Sequence, residues 1–265
     1  KLNIIFMWNF KKIKKSLDLN GYFEFKNYLT KKDIKKVEET LLTTLNYIKK
    51  SNQKNLQKKY YEIKKYSPKL KGNWYDIAKF NIDLLKSVHK DPMVEFVKKY
   101  FNTKVVFSGR PAIHVHDNEN DRLLDAHQET NQFARDTIVL WIPIYDTNKK
   151  TGGLTVYEKS HKSGYFKHSL DHPGGKKSWT SKYTNINKKY LKKFKEKNLE
   201  VKSGNAIIFL SSLVHSGYEN SDPNSVRITI TERFNPLKKL PFLKDTKASM
   251  KMPYVGVDYN KLKID

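Results

Sequence analysis

The chain has 265 residues, of which 38% are hydrophobic, enough apolar material for one sizeable core with at most a helical appendage. Its 52 Lys+Arg against 27 Asp+Glu give a formal charge of +25, a field that attracts polyanions or small anionic substrates without identifying them. The sequence has no cysteine, which excludes disulfides, thiolate zinc sites, iron–sulfur clusters and cysteine nucleophiles.

The basic residues are mostly lysines, and they are spread over most of the chain. Only five residues are arginine. A nucleic-acid-binding surface is typically richer in arginine and places it with aromatic residues on one face. The pattern therefore favours a solvated basic surface, with nucleic acid as a less favoured partner.

The apolar stretch LNIIFMWNF near the start of the sequence is too short to span a membrane. It also lacks the small-residue cleavage site of a signal peptide. These features predict a soluble protein in the cytoplasm.

The first part of the chain, residues 1–101, is predicted to be mostly helical. A turn at Asn20-Gly21 precedes a short alternating strand at Tyr22–Phe25. Thr30 and Asp33 then have the spacing of a capping box, at the start of an apolar stripe with helical period.

The helix that begins there is predicted to end near residue 50. Residues 51–72 are polar and are expected to be helix or loop. A second helix is predicted over 82–100, with an interruption at Asp91-Pro92, where proline suits a first helical turn.

After residue 102 the chain consists of β-rich runs bounded by Gly, Asn, Asp or Pro. Without βαβ alternation, they favour an antiparallel sandwich or barrel over a parallel sheet. We expect one domain with its core at 102–235, a Lys-, Gly- and Ser-rich insert at 162–200 that is helical near 188–197, and an irregular tail at 236–265. The runs are KVVFSGRPAIHVHD, DTIVLWIPIYD, GGLTVYEKS, NAIIFLSSLVHSGYE and SVRITITERF.

The stretch DAHQET holds a histidine and a glutamate, His127 and Glu129, separated by one residue. Side chains two positions apart on an extended strand point to the same face, so both can reach one ion. One more ligand would complete a facial set of two histidines and one carboxylate, which suits non-haem Fe(II).

His215 is the favoured third ligand, because it closes the apolar strand AIIFLSSLVHSG at an end that can face a barrel mouth. Arg227 follows in VRITIT, with Thr229 on the same strand face. A buried arginine in such a strand needs an anion, since leaving it unpaired is costly. A forked guanidinium beside a hydroxyl suits a carboxylate.

These motifs resemble those of the phytanoyl-CoA dioxygenase family of Fe(II)- and 2-oxoglutarate-dependent oxygenases. The resemblance covers roughly residues 20–235. The family usually has His-x-Asp where this chain has His-x-Glu, which changes geometry more than chemistry. Four stretches carry the resemblance, in sequence order: LNGYFEFKNYLTKKDIKKVE, HQE, LWIPIYDTNKKTGGLTVYEKSHKSG and HSGYENSDPNSVRITI.

The resemblance implies a double-stranded β-helix (jelly-roll) core, mainly β, buttressed by N-terminal helices. It implies Fe(II) held by His127, Glu129 and His215. It also implies that 2-oxoglutarate chelates the iron and places its distal carboxylate on Arg227 and Thr229. The usual outcome is decarboxylation of 2-oxoglutarate to succinate, coupled to hydroxylation of a bound substrate.

Three further side chains are candidates for the same pocket. Trp141 is either core packing or, as the resemblance implies, a wall of the 2-oxoglutarate pocket. His114 and His116 alternate on a strand near the site, and one of them, with His116 preferred, is a candidate contact of 2-oxoglutarate or substrate.

Arg233 shares a strand face with Arg227. It is expected to contact an anionic substrate or to pair with an acid such as Glu232 or Glu219. Three other histidines are expected at the surface or in turns, and the insert that carries the last two is a candidate lid. They are His161, His168 and His172.

The substrate expected from the resemblance and the basic surface is a small polar or anionic metabolite, such as an acyl, amino-acid, phosphonate or sugar derivative. One alternative is an oxygenase that acts on a nucleic acid or a protein. The other is a non-catalytic jelly-roll that binds a metal or an anionic polymer.

Overall fold

A computed structural model of the chain describes residues 8–67, 73–109, 111–119, 123–129, 136–166, 168–169 and 185–237. The α-helices in these ranges are Phe10–Asn20 (α1), Lys31–Ile48 (α2), Leu56–Tyr66 (α3), Asn73–Ala78 (α4), Ile82–Val88 (α5) and Asp91–Phe101 (α6). The strands are Tyr22–Phe25 (β1), Val106–Ser108 (β2), Ala112–His116 (β3), Ile138–Pro143 (β4), Gly153–Tyr157 (β5), His168–Ser169 (β6), Asn185–Ile186 (β7), Glu196–Leu199 (β8), Ala206–Leu210 (β9), His215–Tyr218 (β10) and Arg227–Pro236 (β11).

The strands of the core form two facing antiparallel sheets, and β6 and β7 pair in a separate two-stranded sheet. The larger sheet has the order β1-β9-β4-β11-β2, and β3 also pairs with β11. The smaller sheet has the order β10-β5-β8. Residues 124–127 extend its β10 edge, where Gly217 N–H donates to the Leu124 carbonyl at 3.2 Å. This is the jelly-roll architecture predicted from the sequence.

Strand β4 shows why a central strand of the larger sheet has a continuously apolar sequence. All six of its residues are buried, because the sheet is covered on both faces. Ile138 and Leu140 pack with the helices on the outer face. Val139 and Trp141 pack between the two sheets with residues of the smaller sheet. The candidate pocket residue Trp141 therefore lies between the two sheets, on the side of the larger sheet that faces away from the helices.

The helices cover the outer face of the larger sheet. Helix α2 begins with the predicted capping box, in which Thr30 and Asp33 exchange side-chain-to-backbone hydrogen bonds. Its stripe of Val37, Leu41 and Leu45 is buried in the same cluster as the outer face of β11. Helices α5 and α6 confirm the predicted interruption before Asp91.

The turn predicted at Asn20-Gly21 is the end of a helix that the sequence analysis missed. Gly21 has a φ of 87° and caps α1, and its N–H donates to the Leu17 carbonyl at 2.9 Å. Only Ile13 and Leu17 are buried in α1, which is otherwise rich in lysine. Two apolar positions make a weak periodic pattern.

The single strand predicted for AIIFLSSLVHSG is wrong. The chain turns after β9, where Leu213 N–H donates to the Leu210 carbonyl at 2.8 Å. Ser211 fixes this turn, because its N–H donates to the Thr137 carbonyl and its hydroxyl accepts from the Thr137 N–H. His215 therefore begins β10 and does not close β9.

The predicted helical piece at 188–197 is also wrong beyond its first residues. A 3₁₀ turn occupies Lys188–Tyr190, and Glu196–Leu199 is strand β8. Because β8 pairs with β5 at the edge of the smaller sheet, residues 196–199 belong to the core and not to an insert. An edge strand with a solvated face tolerates the polar sequence EKNL. The wider domain boundaries stay predictions.

No helix within the described ranges combines the length and the apolar character needed to cross a membrane. The cytoplasmic location stays a prediction.

Candidate active site

His127, Glu129 and His215 come together between the sheets. One potential ligand atom from each lies within 4.8 Å of the others. His127 and His215 face each other in an isolated antiparallel bridge, with N–H to carbonyl distances of 2.9 and 3.0 Å. The backbone thus fixes the separation of the two rings, whose centroids are 4.3 Å apart.

The segment around His127 is a single bridge and not the regular strand that was expected, yet its side chains alternate. Gln128 points away from the other two and is buried. Its amide donates to the carbonyls of Gly164 and Ser212, and its oxygen accepts from the Phe166 N–H at 2.8 Å. The middle residue of the motif therefore holds its two neighbours towards the cavity, a role the sequence analysis did not assign.

Both histidines are held in the tautomer that a metal requires. Nδ1 of His127 lies 2.6 Å from the Asp125 carbonyl, and Nδ1 of His215 lies 3.0 Å from the Leu213 carbonyl. A carbonyl only accepts hydrogen bonds, so Nδ1 carries the proton in each ring. The Nε2 lone pairs are left as ligands.

Glu129 supplies a buried carboxylate. Burial favours its neutral form, but the positive charge of Arg233 overcomes this and holds its pKa well below the ordinary value. Oε1 lies 3.6 Å from Nε2 of His215. The group is therefore an ionised oxygen donor at neutral pH.

Arg227 begins β11 and is buried in the same cavity. Its Nη1 donates to the carbonyls of Gly153 and Tyr218, both at 2.9 Å, and its Nε has no hydrogen-bond partner. Within the described part of the chain, no ion pair joins it to a carboxylate. Burial lowers its pKa to about 10, so it is still a cation at neutral pH.

The cavity that joins these groups contains the candidate pocket residues. Trp141 both packs in the inner core and lines the cavity, and its role as a wall of the 2-oxoglutarate pocket stays a prediction. His116 and Thr229 are buried and line it too, and Nδ1 of His116 has no hydrogen-bond partner. Burial, with Arg227 beside it, lowers the pKa of His116 well below its ordinary value.

His114 and Arg233 complete this wall. His114 Nε2 lies 3.1 Å from the Thr231 hydroxyl, and burial lowers the pKa of His114 to about 4. The guanidinium of Arg233 pairs with Glu129, at 3.1 and 3.3 Å, and not with Glu232 or Glu219 as expected. The partner could not be read from the sequence, because it depends on how residues 123–129 lie across the sheet.

The other histidines lie outside this cluster or outside the description. Nε2 of His161 contacts the Asp18 carbonyl at 3.2 Å, away from the cavity. His172 and the side chain of His168 fall outside the described residues, as does the centre of the candidate lid. Its role stays a prediction.

The residues present fit Fe(II) and 2-oxoglutarate. Two imidazoles and one ionised carboxylate form a set that leaves positions open on a non-haem iron. In the same cavity, a buried guanidinium with an unpartnered Nε meets the requirement of a carboxylate anion. Fold and site together define an Fe(II)- and 2-oxoglutarate-dependent oxygenase.

The family comparison agrees with this class. The model of the family described as phytanoyl-CoA dioxygenase (PhyH) matches residues 17–228, and the chain belongs to this family. The chain is therefore an enzyme, and the alternative of a non-catalytic jelly-roll is excluded. A search of curated proteins found no match.

Solved structures show the same fold at low identity. The 2-oxoglutarate-dependent carbocyclase SnoK from nogalamycin biosynthesis is 13% identical, with a TM-score of 0.59 over 84% of this chain and 83% of SnoK. The epimerase SnoN, solved with Fe³⁺, 2-oxoglutarate and nogalamycin RO, is 11% identical, with a TM-score of 0.57 over 86% of this chain and 83% of SnoN. AviO1 from Streptomyces viridochromogenes Tue57 is 13% identical, with a TM-score of 0.56 over 87% of this chain and 96% of AviO1.

Proposed function

We propose that this enzyme hydroxylates a small anionic metabolite, with His127, Glu129 and His215 as the Fe(II) ligands. Arg227 and Thr229 bind the distal carboxylate of 2-oxoglutarate. The observation that carries the proposal is the buried cation of Arg227, which has carbonyl partners but no counter-ion among the described residues and shares a cavity with the metal-binding set. When bound, the iron supplies the activation of oxygen that 2-oxoglutarate decarboxylation drives.

The chain contributes a pocket whose ligand-binding groups are held in place by hydrogen bonds and packing. Two backbone carbonyls hold Arg227 in one position, so little side-chain freedom is lost when an anion binds. His116 offers Nδ1 to the same cavity, and Trp141 forms an apolar wall. Leu154 and Phe209 line it as well, which limits the space for water near the metal ligands.

The charge of the cavity supports an anionic substrate. Among the described residues, its lining has two guanidinium groups, Arg227 and Arg233, and one carboxylate, Glu129. His114 and His116 add no charge at neutral pH, because burial lowers the pKa of both. A further anionic group would balance this excess.

A second, larger cleft adjoins the cavity and supports a substrate with an apolar portion. The two share Leu124, Ser216 and Gly217 in their linings. Leu191 and Phe194 contribute apolar surface to the cleft. Lys188 and Lys192 also line the cleft and are exposed, and they would favour an anionic group near the entrance.

Succinate formation from 2-oxoglutarate tests the reaction class. We expect Fe(II)-dependent turnover, stimulated by anionic candidate substrates, that is lost in His127→Ala and Arg227→Ala. Lys202→Ala serves as the control matched to Arg227→Ala, because Lys202 is 79% exposed and each of these two substitutions lowers the net charge by one. Unchanged iron and 2-oxoglutarate binding in both site variants would overturn the assignment.

The macromolecular alternative makes a different prediction. If a nucleic acid is the substrate, its affinity falls steeply with salt concentration, because lysine–phosphate contacts release counterions. Because a net charge of +25 attracts DNA whether or not DNA is the substrate, the small-metabolite reading predicts that DNA does not stimulate succinate formation. Succinate assays with and without DNA, beside filter binding over a salt series, separate the two.

A further inference from the structure

Arg233 grips the carboxylate of the metal-binding glutamate with two donors. Its Nη2 donates to Oε1 of Glu129 at 3.1 Å, and its Nε donates to Oε2 at 3.3 Å. Its Nη1 donates to the Thr231 hydroxyl at 3.1 Å, so the guanidinium is itself fixed on β11. The result is a fork-to-fork pair in which the guanidinium is anchored on β11 and the carboxylate comes from the 123–129 segment.

The two oxygens of Glu129 have different surroundings. Oε1 lies 3.6 Å from Nε2 of His215, the atom that faces the metal position. Oε2 is the oxygen bound by Nε of Arg233. The fork therefore sets the rotation of the carboxylate and turns one oxygen towards the histidines.

A glutamate needs such a restraint more than an aspartate does. Its side chain has one more rotatable bond, so more orientations compete with the ligating one. A freely rotating carboxylate can also chelate a metal through both oxygens, which would occupy a position that co-substrate or oxygen needs. A guanidinium held by the strand opposes both.

We propose that Arg233 is a positioning residue that presents a single oxygen of Glu129 to the metal and so compensates for the length of glutamate. This inference rests on the proposed metal site. The pair also balances the charge of the buried carboxylate. Arg233 is thus distinct in role from Arg227, which has no carboxylate partner among the described residues.

A double-mutant cycle on metal binding tests the coupling. We expect Arg233→Met to weaken Co(II) binding by roughly 10- to 100-fold in the wild-type background, the usual cost of losing an outer-shell partner. In the Glu129→Asp background the shorter carboxylate no longer reaches the fork, so the same change should cost less than about threefold. Titration of the protein with Co(II), followed by its visible absorption, gives both affinity and coordination geometry.

The spectrum separates positioning from charge. Arg233→Lys keeps the cation but loses the fork, so we expect a Co(II) spectrum altered like that of Arg233→Met. Equal losses in both backgrounds, or tighter metal binding by Arg233→Met, would overturn the inference, since the second result would mark Arg233 as a repulsive charge. Arg233→Gln provides the measurement if Arg233→Met does not fold.

His215→Ala separates this inference from the proposed function. If wild-type protein and His215→Ala bind Co(II) equally, the metal site itself is wrong. If His215→Ala loses binding while the cycle is additive, the metal site stands and the role of Arg233 falls.

Discussion

The two faces of strand β11 use buried charge in opposite ways. Alternate residues line the cavity: Arg227, Thr229, Thr231 and Arg233. The residues between them are buried behind the sheet: Ile228, Ile230, Glu232 and Phe234. Each face holds charged groups away from water, but their partners differ.

On the face behind the sheet, Glu232 is saturated with donors. It accepts from Ser108 Oγ at 2.8 Å and from the N–H groups of Gly109 and Arg233 at 3.0 and 2.6 Å. Nε2 of His89 lies 2.6 Å from it. Nδ1 of His89 contacts the Leu85 carbonyl, so both ring nitrogens donate and the ring is a cation.

On the cavity face, Arg227 has two carbonyl partners and an unpartnered Nε. A buried charge whose partners are complete contributes to the fold, whereas one that lacks a counter-ion marks a place where a ligand completes it. Substitutions on the two faces should therefore affect different properties.

The largest effect is expected from Glu232→Ala. It removes the counter-ion of the His89 cation and one acceptor each from Ser108, Gly109 and Arg233, which should lower the free energy of unfolding by about 3–5 kcal/mol. Urea denaturation measures this, and 2-oxoglutarate affinity of the folded fraction should be unchanged. A loss below about 1 kcal/mol would contradict the structural role.

Arg227→Met should weaken ligand binding and leave stability almost unchanged, the opposite of Glu232→Ala. We expect 2-oxoglutarate affinity to fall by about 2–3 kcal/mol, roughly 30- to 150-fold, because a charged hydrogen-bond partner is lost. The free energy of unfolding should change by less than about 1 kcal/mol, since removing an uncompensated buried charge offsets the lost hydrogen bonds. Calorimetric titration measures the affinity, and urea denaturation measures the stability. A large loss of stability with unchanged affinity would contradict the assignment of Arg227 to ligand binding.

The His89–Glu232 pair predicts a pH dependence of stability. Burial alone would lower the pKa of His89, but the hydrogen bond and charge of Glu232 outweigh it and raise the pKa. The stabilisation is complete below the unfolded-state pKa of about 6.5 and is lost as pH rises through the raised folded-state value. Wild type should exceed His89→Gln by about 1–2 kcal/mol at pH 6 and by less at pH 9 in urea denaturation. A gap that widens with pH would show that the ring is neutral.

The smallest effects come from neighbours on the strand. Thr229→Val removes a cavity hydroxyl and should weaken 2-oxoglutarate binding by about 0.5–1.5 kcal/mol with little change in stability. Ile230→Val removes a buried methylene behind the sheet and should lower the free energy of unfolding by about 0.5–1.5 kcal/mol with no change in affinity. If both variants lose the same property, the division of β11 into two faces is wrong.

The two faces of β11 were partly predictable, because side chains alternate along any strand. That rule places Arg227 and Thr229 together, and it pairs His127 with Glu129 even though their segment forms only one bridge. The capping box at Thr30 was equally predictable from the sequence, since it depends on residues three positions apart.

What the sequence could not predict depends on contacts between distant segments. The ion pair of Glu129 with Arg233 and that of His89 with Glu232 join residues more than 100 positions apart. The break after Leu210 needs Thr137 to hold Ser211 in the turn. Local patterns carry no information about such partners.

The reciprocal backbone bridge between His127 and His215 has a consequence for the fold as a whole. The two residues are about 90 positions apart, and a metal bound to both side chains closes a loop of that length. Closing a loop of this length in the unfolded chain costs about 4 kcal/mol of entropy. A metal bound to both histidines would therefore act as a removable cross-link in a chain without cysteine. Metal loading should therefore slow hydrogen exchange at these two amides, which bond only while residues 124–127 stay docked on β10.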